Sequence, residues 1–233
     1  MLLNKPEIIV EPELSEISST GYGVSKLDGT EHIFGISSET NDIMKNVMPD
    51  SFSYRDSMPK IDNQGELPWC VAYSFSAILN CLLNINKRTD NLDYGIDEEK
   101  IYNLRKNKTV NGMFPKTAFS EALHKGIPIE SLNENLHIKG YAWTGTIESM
   151  KAALLLNGPL LAGITVRDFD RNDFWRGYGY HGGHAIVISG YDDKTRSLEL
   201  RNSWGTLYGD KGYYKISYDD ALKEFLECWT VYL

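Results

Sequence analysis

A chain of 233 residues with an apolar content of 42% is long enough for one domain, or two joined lobes, around a sizeable core. The formal net charge of −8 argues against nonspecific binding to nucleic acid or to an anionic membrane, since charge repulsion opposes both. The three cysteines, Cys70, Cys81 and Cys228, are too few for a disulfide framework, and no Cys/His pair has structural zinc spacing, so a reducing compartment is expected.

The chain opens on an acidic stretch in which Lys5, Glu7, Glu11 and Glu13 interrupt every apolar run, leaving no secretory h-region. Nor does any later stretch approach the roughly 20 apolar residues a membrane span needs. A cytoplasmic location is therefore expected, with signal-free export as the other route. Residues 1–50 read as an N-terminal extension. Within it Val24–Leu27 and His32–Phe34 flank Asp28-Gly29, a favoured two-residue turn pair, which predicts a hairpin over Gly21–Ile36.

A helix is expected from Leu67, with Pro68 in its first turn and Val71, Phe75, Ile78, Leu79 and Leu82 at helical spacing. Asp97–Lys106 is a second helix, acidic at its start and basic at its end. Pro115–Lys125 is a third, stopped by Gly126, and Thr146–Asn157 a fourth, closed by Gly158-Pro159. The pattern then changes to short Val-, Ile-, Tyr- and Leu-rich runs: Leu160–Val166, Ala185–Tyr191, Ser197–Asn202, Gly212–Ile216 and Thr230–Leu233. Helices in one half and strands in the other predict an α+β protein with a helical lobe and a β lobe.

Four residues carry chemistry. Cys70 falls in the first turn of the helix, where unpaired N–H groups stabilise a thiolate, although position alone does not separate it from a buried core cysteine. A nucleophilic cysteine needs a base within reach. His184 follows Gly182-Gly183 at the mouth of a buried strand, with His181 as a rival; the two histidines lack the further ligands that a metal site wants. Asn202, in Arg201-Asn202-Ser203-Trp204-Gly205, can accept from the imidazole and fix its tautomer, with Trp204 shielding the bond, or can be an ordinary turn residue. Gln64, just before the helix, can aim an amide N–H at a developing oxyanion beside the Cys70 N–H; losing one such donor costs about 2.7–4 kcal/mol.

Taken together, Asn63-Gln64-Gly65-Glu66-Leu67-Pro68-Trp69-Cys70-Val71-Ala72-Tyr73-Ser74 resembles the active-site segment of papain-like cysteine peptidases. Gly183-His184-Ala185 through Gly190-Tyr191 resembles the family's histidine strand, and Arg201-Asn202-Ser203-Trp204-Gly205 with Gly209-Asp210-Lys211-Gly212-Tyr213 its asparagine segment. Asn111–Ile127 and Gly158-Pro159-Leu160 match further landmarks, so the resemblance covers about residues 50–233 in the family's order. It implies a two-lobe fold: a helical lobe at about 60–135, an antiparallel β-barrel-like lobe at about 136–233, and a cleft between them within a domain spanning 51–233.

The resemblance further implies hydrolysis of peptide bonds in a peptide or protein substrate, through a thioester on Cys70, with His184 as general base and acid, and with no metal or organic cofactor. Two alternatives share these residues: an acyl or peptidyl transferase on the same fold, and a catalytically silent papain-like binding protein. Substrate contacts map to Gly112, Met113, Phe114, Pro115, Gly163, Gly182, Gly183, Ala185 and Trp204, and the specificity pocket among them is expected to be roomy and apolar, taking a bulky apolar residue second upstream of the cut.

Departures from the family pattern carry expectations too. Leu67-Pro68-Trp69 stands where the family usually has Cys-Gly-Ser; the usual disulfide would fall on Leu67 and about Val110, so a buried apolar contact is expected instead. Trp69 and Val71 flank the nucleophile and alter the cleft, and Met113 replaces a substrate-pairing glycine and narrows it. The hairpin over 21–36 is expected either to lie in the cleft and restrain activity or to pack on the β lobe.

Overall fold

The computed structural model describes residues 22–23, 25, 31–34, 48–106, 108–109, 111–169 and 172–233. In chain order these form β1 (Ser51–Ser53), α1 (Cys70–Lys87), α2 (Glu98–Asn103), α3 (Pro115–His124), β2 (Ile127–Ile129), β3 (Glu134–Leu136), β4 (Gly140–Trp143) and α4 (Ile147–Asn157). There follow β5 (Leu160–Val166), β6 (Gly182–Asp192), β7 (Ser197–Arg201), β8 (Tyr213–Ser217), α5 (Tyr218–Glu224) and β9 (Phe225–Tyr232). The fold is α+β.

Helix α1 is the organising element of the helical side. It is apolar on nearly every face, as befits a helix surrounded by protein. Its inward asparagines are met by the segments on either side of it. Asn80 Oδ1 accepts from the Tyr94 N–H at 2.8 Å, and Asn84 Nδ2 donates to the Ser57 and Leu92 carbonyls, both at 3.0 Å. Unmade, each of these bonds would leave a buried polar group costing about 1–3 kcal/mol. The helix begins at Cys70 rather than at Leu67. Trp69 takes the N-cap position with a non-helical backbone, and Pro68 lies outside the helix rather than in its first turn. Helices α2 to α4 start where their sequence signals place them, although α2 ends at Asn103 rather than Lys106, and α5 was not expected. Asp97 caps α2 by accepting from the Glu99 and Lys100 N–H groups, and Thr146 caps α4 in a reciprocal box with Ser149.

The strands form one antiparallel sheet in the order β4-β9-β5-β6-β7-β8, with β1 added on β6, while β2 and β3 pair as a separate hairpin. The eleven-residue β6 lies at its centre, nearly all buried, and α1 packs against it. Between the helices and the sheet, Phe75, Phe119, Tyr141 and Trp229 make edge and tilted aromatic contacts with centroids 5.2–6.0 Å apart.

Several elements differ from expectation. Strand β9 starts at Phe225, five residues before the apolar run at Thr230, because the acid Glu227 and the preceding helix α5 obscure its beginning. The short strands β1 to β4 give too few residues for a period-2 pattern. Leu67 is 42% exposed, so it does not form the buried contact expected in place of a disulfide; Val110 lies outside the described residues. Cys70, Cys81 and Cys228 are all unpaired and buried. The turn of the hairpin predicted over Gly21–Ile36 also lies outside the described residues. Among the described residues no helix is long and apolar enough to cross a membrane.

Candidate active site

Packing of α1 on β6 brings the head of the helix to the start of the strand. Cys70 is the first residue of α1, and its sulfur accepts a hydrogen bond from the backbone N–H of Ala185, the residue after His184. Strands β6 and β7 run antiparallel with Val187 opposite Arg201, so the residue just past β7 reaches back toward the beginning of β6. That residue is Asn202, whose Oδ1 lies 2.7 Å from His184 Nε2. The same oxygen accepts from the Ser203 N–H at 2.8 Å, which fixes the amide with its oxygen toward the imidazole. An amide oxygen only accepts, so Nε2 carries the hydrogen and Nδ1 keeps its lone pair. Nδ1 is buried and has no hydrogen-bond partner.

Aromatic rings enclose the imidazole. Trp204 stacks on His184 with centroids 4.7 Å apart and planes at 29°, and Phe174 meets it edge-on. Trp204 thus sits against the His184–Asn202 pair. Gln64 is held to the same loop: its N–H donates to the Ser203 carbonyl at 2.8 Å, and its side-chain oxygen accepts from the Ser203 hydroxyl at 2.6 Å. Its Nε2 gives one hydrogen to the Leu67 carbonyl at 2.9 Å. Asn63 bridges Trp204, and the Gly205 N–H donates to the Asp62 carbonyl, completing a staple between the two loops. His181 stays at the surface against Phe169, and among the described residues no three His, Cys, Asp or Glu side chains gather as a metal site.

Burial dominates the electrostatics of the pair. Cys70 and His184 are each 0% exposed. Desolvation pushes the Cys70 thiol up to about 12 against the hydrogen bonds that favour a thiolate. It pushes His184 down to about 4 against the opposing effect of Asn202. Burial therefore favours a neutral thiol and a neutral imidazole.

The cover comes in part from the far N-terminal region. Tyr22 is 1% exposed and bridges Met113 in parallel sense, with the Gly23 N–H donating to the Met113 carbonyl at 3.2 Å. The Tyr22 ring occupies space that only glycine leaves open: a Cβ at Gly163 would overlap its hydroxyl, and one at Gly183 would overlap its ring. Its hydroxyl donates to Glu227 Oε1, and the Ser25 N–H donates to the same oxygen at 2.9 Å. Further along, Glu31 pairs with Lys116, and Ile33 bridges Trp143 on the sheet edge.

The expected contact residues therefore fall unevenly. Met113, Phe114, Gly163 and Gly183 surround Tyr22 or its neighbour Gly23, and Ala185 adjoins Cys70. Gly112 binds the Tyr102 hydroxyl through its N–H, Gly182 opens β6, and Pro115 begins α3. Trp69 stacks on Tyr102 with centroids 5.3 Å apart, which turns its ring onto the helical side. Sequence reasoning missed Tyr22 and Glu227. Glu227 carried a usable signal, an acid inside the apolar run Leu226–Val231, since such a residue is rarely buried without a partner.

This geometry agrees with what the chain resembles. Residues 132–228 match the model of the papain family cysteine proteases, a span that holds His184 and Asn202. The cathepsin B-like CP2 of Giardia intestinalis is 25% identical over 211 residues, covering 74% of this chain and 70% of that protein. Cathepsin B-like cysteine proteinase 5 of Caenorhabditis elegans is 33% identical over 84 residues, which cover 33% of this chain and 24% of the relative. In structure, xylellain, a cysteine protease from Xylella fastidiosa, superposes with a TM-score of 0.74 at 18% identity, covering 92% of this chain and 96% of that one. The fold is that of the papain-like cysteine proteases, and residues 132–228 carry the papain-family match.

Proposed function

We propose that this chain hydrolyses peptide bonds through a thioester on Cys70, and that the segment carrying Tyr22 holds its cleft closed until it is displaced. The observation that carries the reading is His184, tied through Nε2 to Asn202 and left with a bare Nδ1 beside the helix that starts at Cys70. In this mechanism the Cys70 thiol gives its proton to Nδ1 and the thiolate attacks the substrate carbonyl carbon. The oxyanion accepts from the Cys70 N–H and from the second hydrogen of Gln64 Nε2. The imidazolium then protonates the leaving amine. Neutral His184 next takes a proton from water, the hydroxide attacks the thioester, and the thiol is restored. Asn202 keeps the imidazole in the required tautomer throughout.

The closed cleft explains why the pair is neutral here. Displacing Tyr22 lets water in, lowers the cost of charge on both groups and moves each toward its ordinary range. In this reading residues 51–233 form the peptidase unit, with a helical lobe at about 60–135 and a β lobe at about 136–233, and residues 1–50 are an extension that restrains it. Three unpaired thiols suit the cytoplasm.

The complete burial of Cys70 and His184 favours one other reading, a catalytically silent member of the fold that binds rather than cuts. Labelling by an epoxide thiol inhibitor separates the two. Adduct formation and peptide hydrolysis by the Tyr22→Ala chain, both absent after a further Cys70→Ala change, are the expected result. Hydrolysis that persists without the Cys70 sulfur overturns the mechanism, and an open chain that neither labels nor cuts supports the silent reading.

A further inference from the structure

We infer that the Tyr214 hydroxyl is a positioning group for the reaction: it accepts a hydrogen bond from Asn202 Nδ2 when His184 becomes charged, and so holds the amide from its far side. The inference rests on the peptidase reading above and adds a residue to that site.

The Asn202 amide is secured through its oxygen alone. Both lone pairs of Oδ1 are used, by His184 Nε2 and by the Ser203 N–H, so a further polar group beside the amide meets Nδ2. Nδ2 is buried and has no hydrogen-bond partner, on a residue 3% exposed. The Tyr214 hydroxyl is in the same condition, on a residue 5% exposed. Each is costly to leave so, and each offers what the other lacks: an amide N–H donates and a phenol oxygen accepts.

Strand register brings the two together. Leu200 on β7 lies opposite Tyr214 on β8, and just past β7 the Asn202 N–H donates to the Gly212 carbonyl at 3.0 Å. Side chains alternate along a strand, so Leu200, Asn202 and Tyr214 share one face, with Asn202 and Tyr214 as diagonal neighbours. Tyr213 turns to the other face, under the Arg55 guanidinium. The Tyr214 ring packs edge-on against Phe174 with centroids 5.4 Å apart, and Phe174 in turn meets His184 and Trp204. The electrostatics agree with this placement. Burial pushes the Tyr214 hydroxyl up to about 12, and the Asn202 amide opposes that shift, as a donor facing the phenol oxygen does.

A neutral imidazole polarises the amide little. Once Nδ1 takes the Cys70 proton, Nε2 becomes a charged donor and draws electron density from Oδ1, which makes the Nδ2 hydrogens better donors. The bond from Nδ2 to Tyr214 Oη then tightens with the charge and raises the affinity of His184 for its proton. The titratable groups beside this chain of bonds are Cys70, at the head of α1, and Tyr208, which acts on the Tyr214 hydroxyl; Phe174 and Trp204 are the aromatic neighbours of the imidazole.

The first test needs no turnover. In the full chain carrying Tyr22→Ala and Cys70→Ala, the imidazole titrates without the thiol, and NMR of its ring proton reads the midpoint. Adding Tyr214→Phe, which removes one oxygen and keeps the ring, is expected to lower that midpoint by about half to one unit. Because the hydroxyl is unpaired in the closed cleft, the same change is expected to leave the melting temperature of the parent chain no lower. Tyr214→Met also lacks an acceptor and is expected to give the same shift, so the reading does not depend on one variant folding. An unmoved midpoint, or one that rises, overturns the inference and leaves Tyr214 a packing residue.

The second test follows peptide hydrolysis by the Tyr22→Ala chain with and without Tyr214→Phe. A loss of about three- to tenfold in kcat with KM little changed is expected, with the alkaline limb of the pH profile moved to lower pH. A fall in kcat with that limb unmoved overturns the inference. No hydrolysis by either chain, with the NMR shift intact, overturns the peptidase reading and leaves the link from Tyr214 to the imidazole standing.

Discussion

The two ends of the cleft are built on opposite plans. At one end His184, Asn202, Ser203 and Gln64 are tied to one another by hydrogen bonds between two adjoining loops and a strand, against a stacked tryptophan. At the other end Glu227 depends on Tyr22 and Ser25, more than two hundred residues away along the chain, for both donors on one oxygen. The first end is tied together by groups within residues 64–203. The second is complete only while Tyr22 and Ser25 occupy it.

The largest expected effect strikes the self-contained end. Cys70→Ala should abolish hydrolysis by the opened chain, a loss on the order of a millionfold for a nucleophile acting in concert with its base, with the melting temperature little changed. Gln64→Ala, measured in the same Tyr22→Ala background, should lower kcat by about a hundred- to a thousandfold with a small change in KM. A larger effect on KM than on kcat would instead make Gln64 a binding residue.

The dependent end gives smaller effects of opposite sign. Tyr22→Ala should raise Cys70 alkylation in the full chain by at least about tenfold, since it removes both the ring and its bond to a buried carboxylate. No increase would mean that the cleft is closed by something else.

A last effect is a pH dependence that sets the two ends against each other. His184 is held near 4 against an ordinary 6.5, so the unfolded chain takes up its proton first. Stability is therefore lost as pH falls from about 6.5 toward 4, by roughly 3 kcal/mol at full protonation. Burial raises Glu227 above its ordinary range, so over the window just above 4.5 the folded chain holds the extra proton, and this contribution offsets the first. Melting curves of Glu227→Gln should accordingly fall more steeply with acid than those of the parent chain. A shallower fall would reverse the assignment.

How legible each end was in the sequence follows from the same difference. Asn-Ser-Trp-Gly, the paired glycines before His184, and the helix signals around Cys70 are local, and each residue's partner lies on an adjoining element. Helices α3 and α4 were readable to within a residue because Pro115, Thr146, Gly126 and Gly158 mark their ends. The start of α1 was harder, since Trp69 caps it without a side-chain bond. Glu227 and Tyr22 could not be joined from sequence, because nothing local to either predicts that they meet. The pocket's glycines gave its width, and the acid at its end gave it a different chemistry.

The staple between the loop of Gln64 and that of Asn202 has one more consequence. With Gln64 bonded to Ser203 through backbone and side chain, and Gly205 bonded to Asp62, Gln64 and the imidazole's support are held as one piece. Any breathing that admits a substrate must then hinge elsewhere, on the side where Tyr22 meets Met113 and Gly163. Ligand entry can widen the groove without disturbing the spacing of the reacting groups, so the machinery need not be reassembled at each turnover.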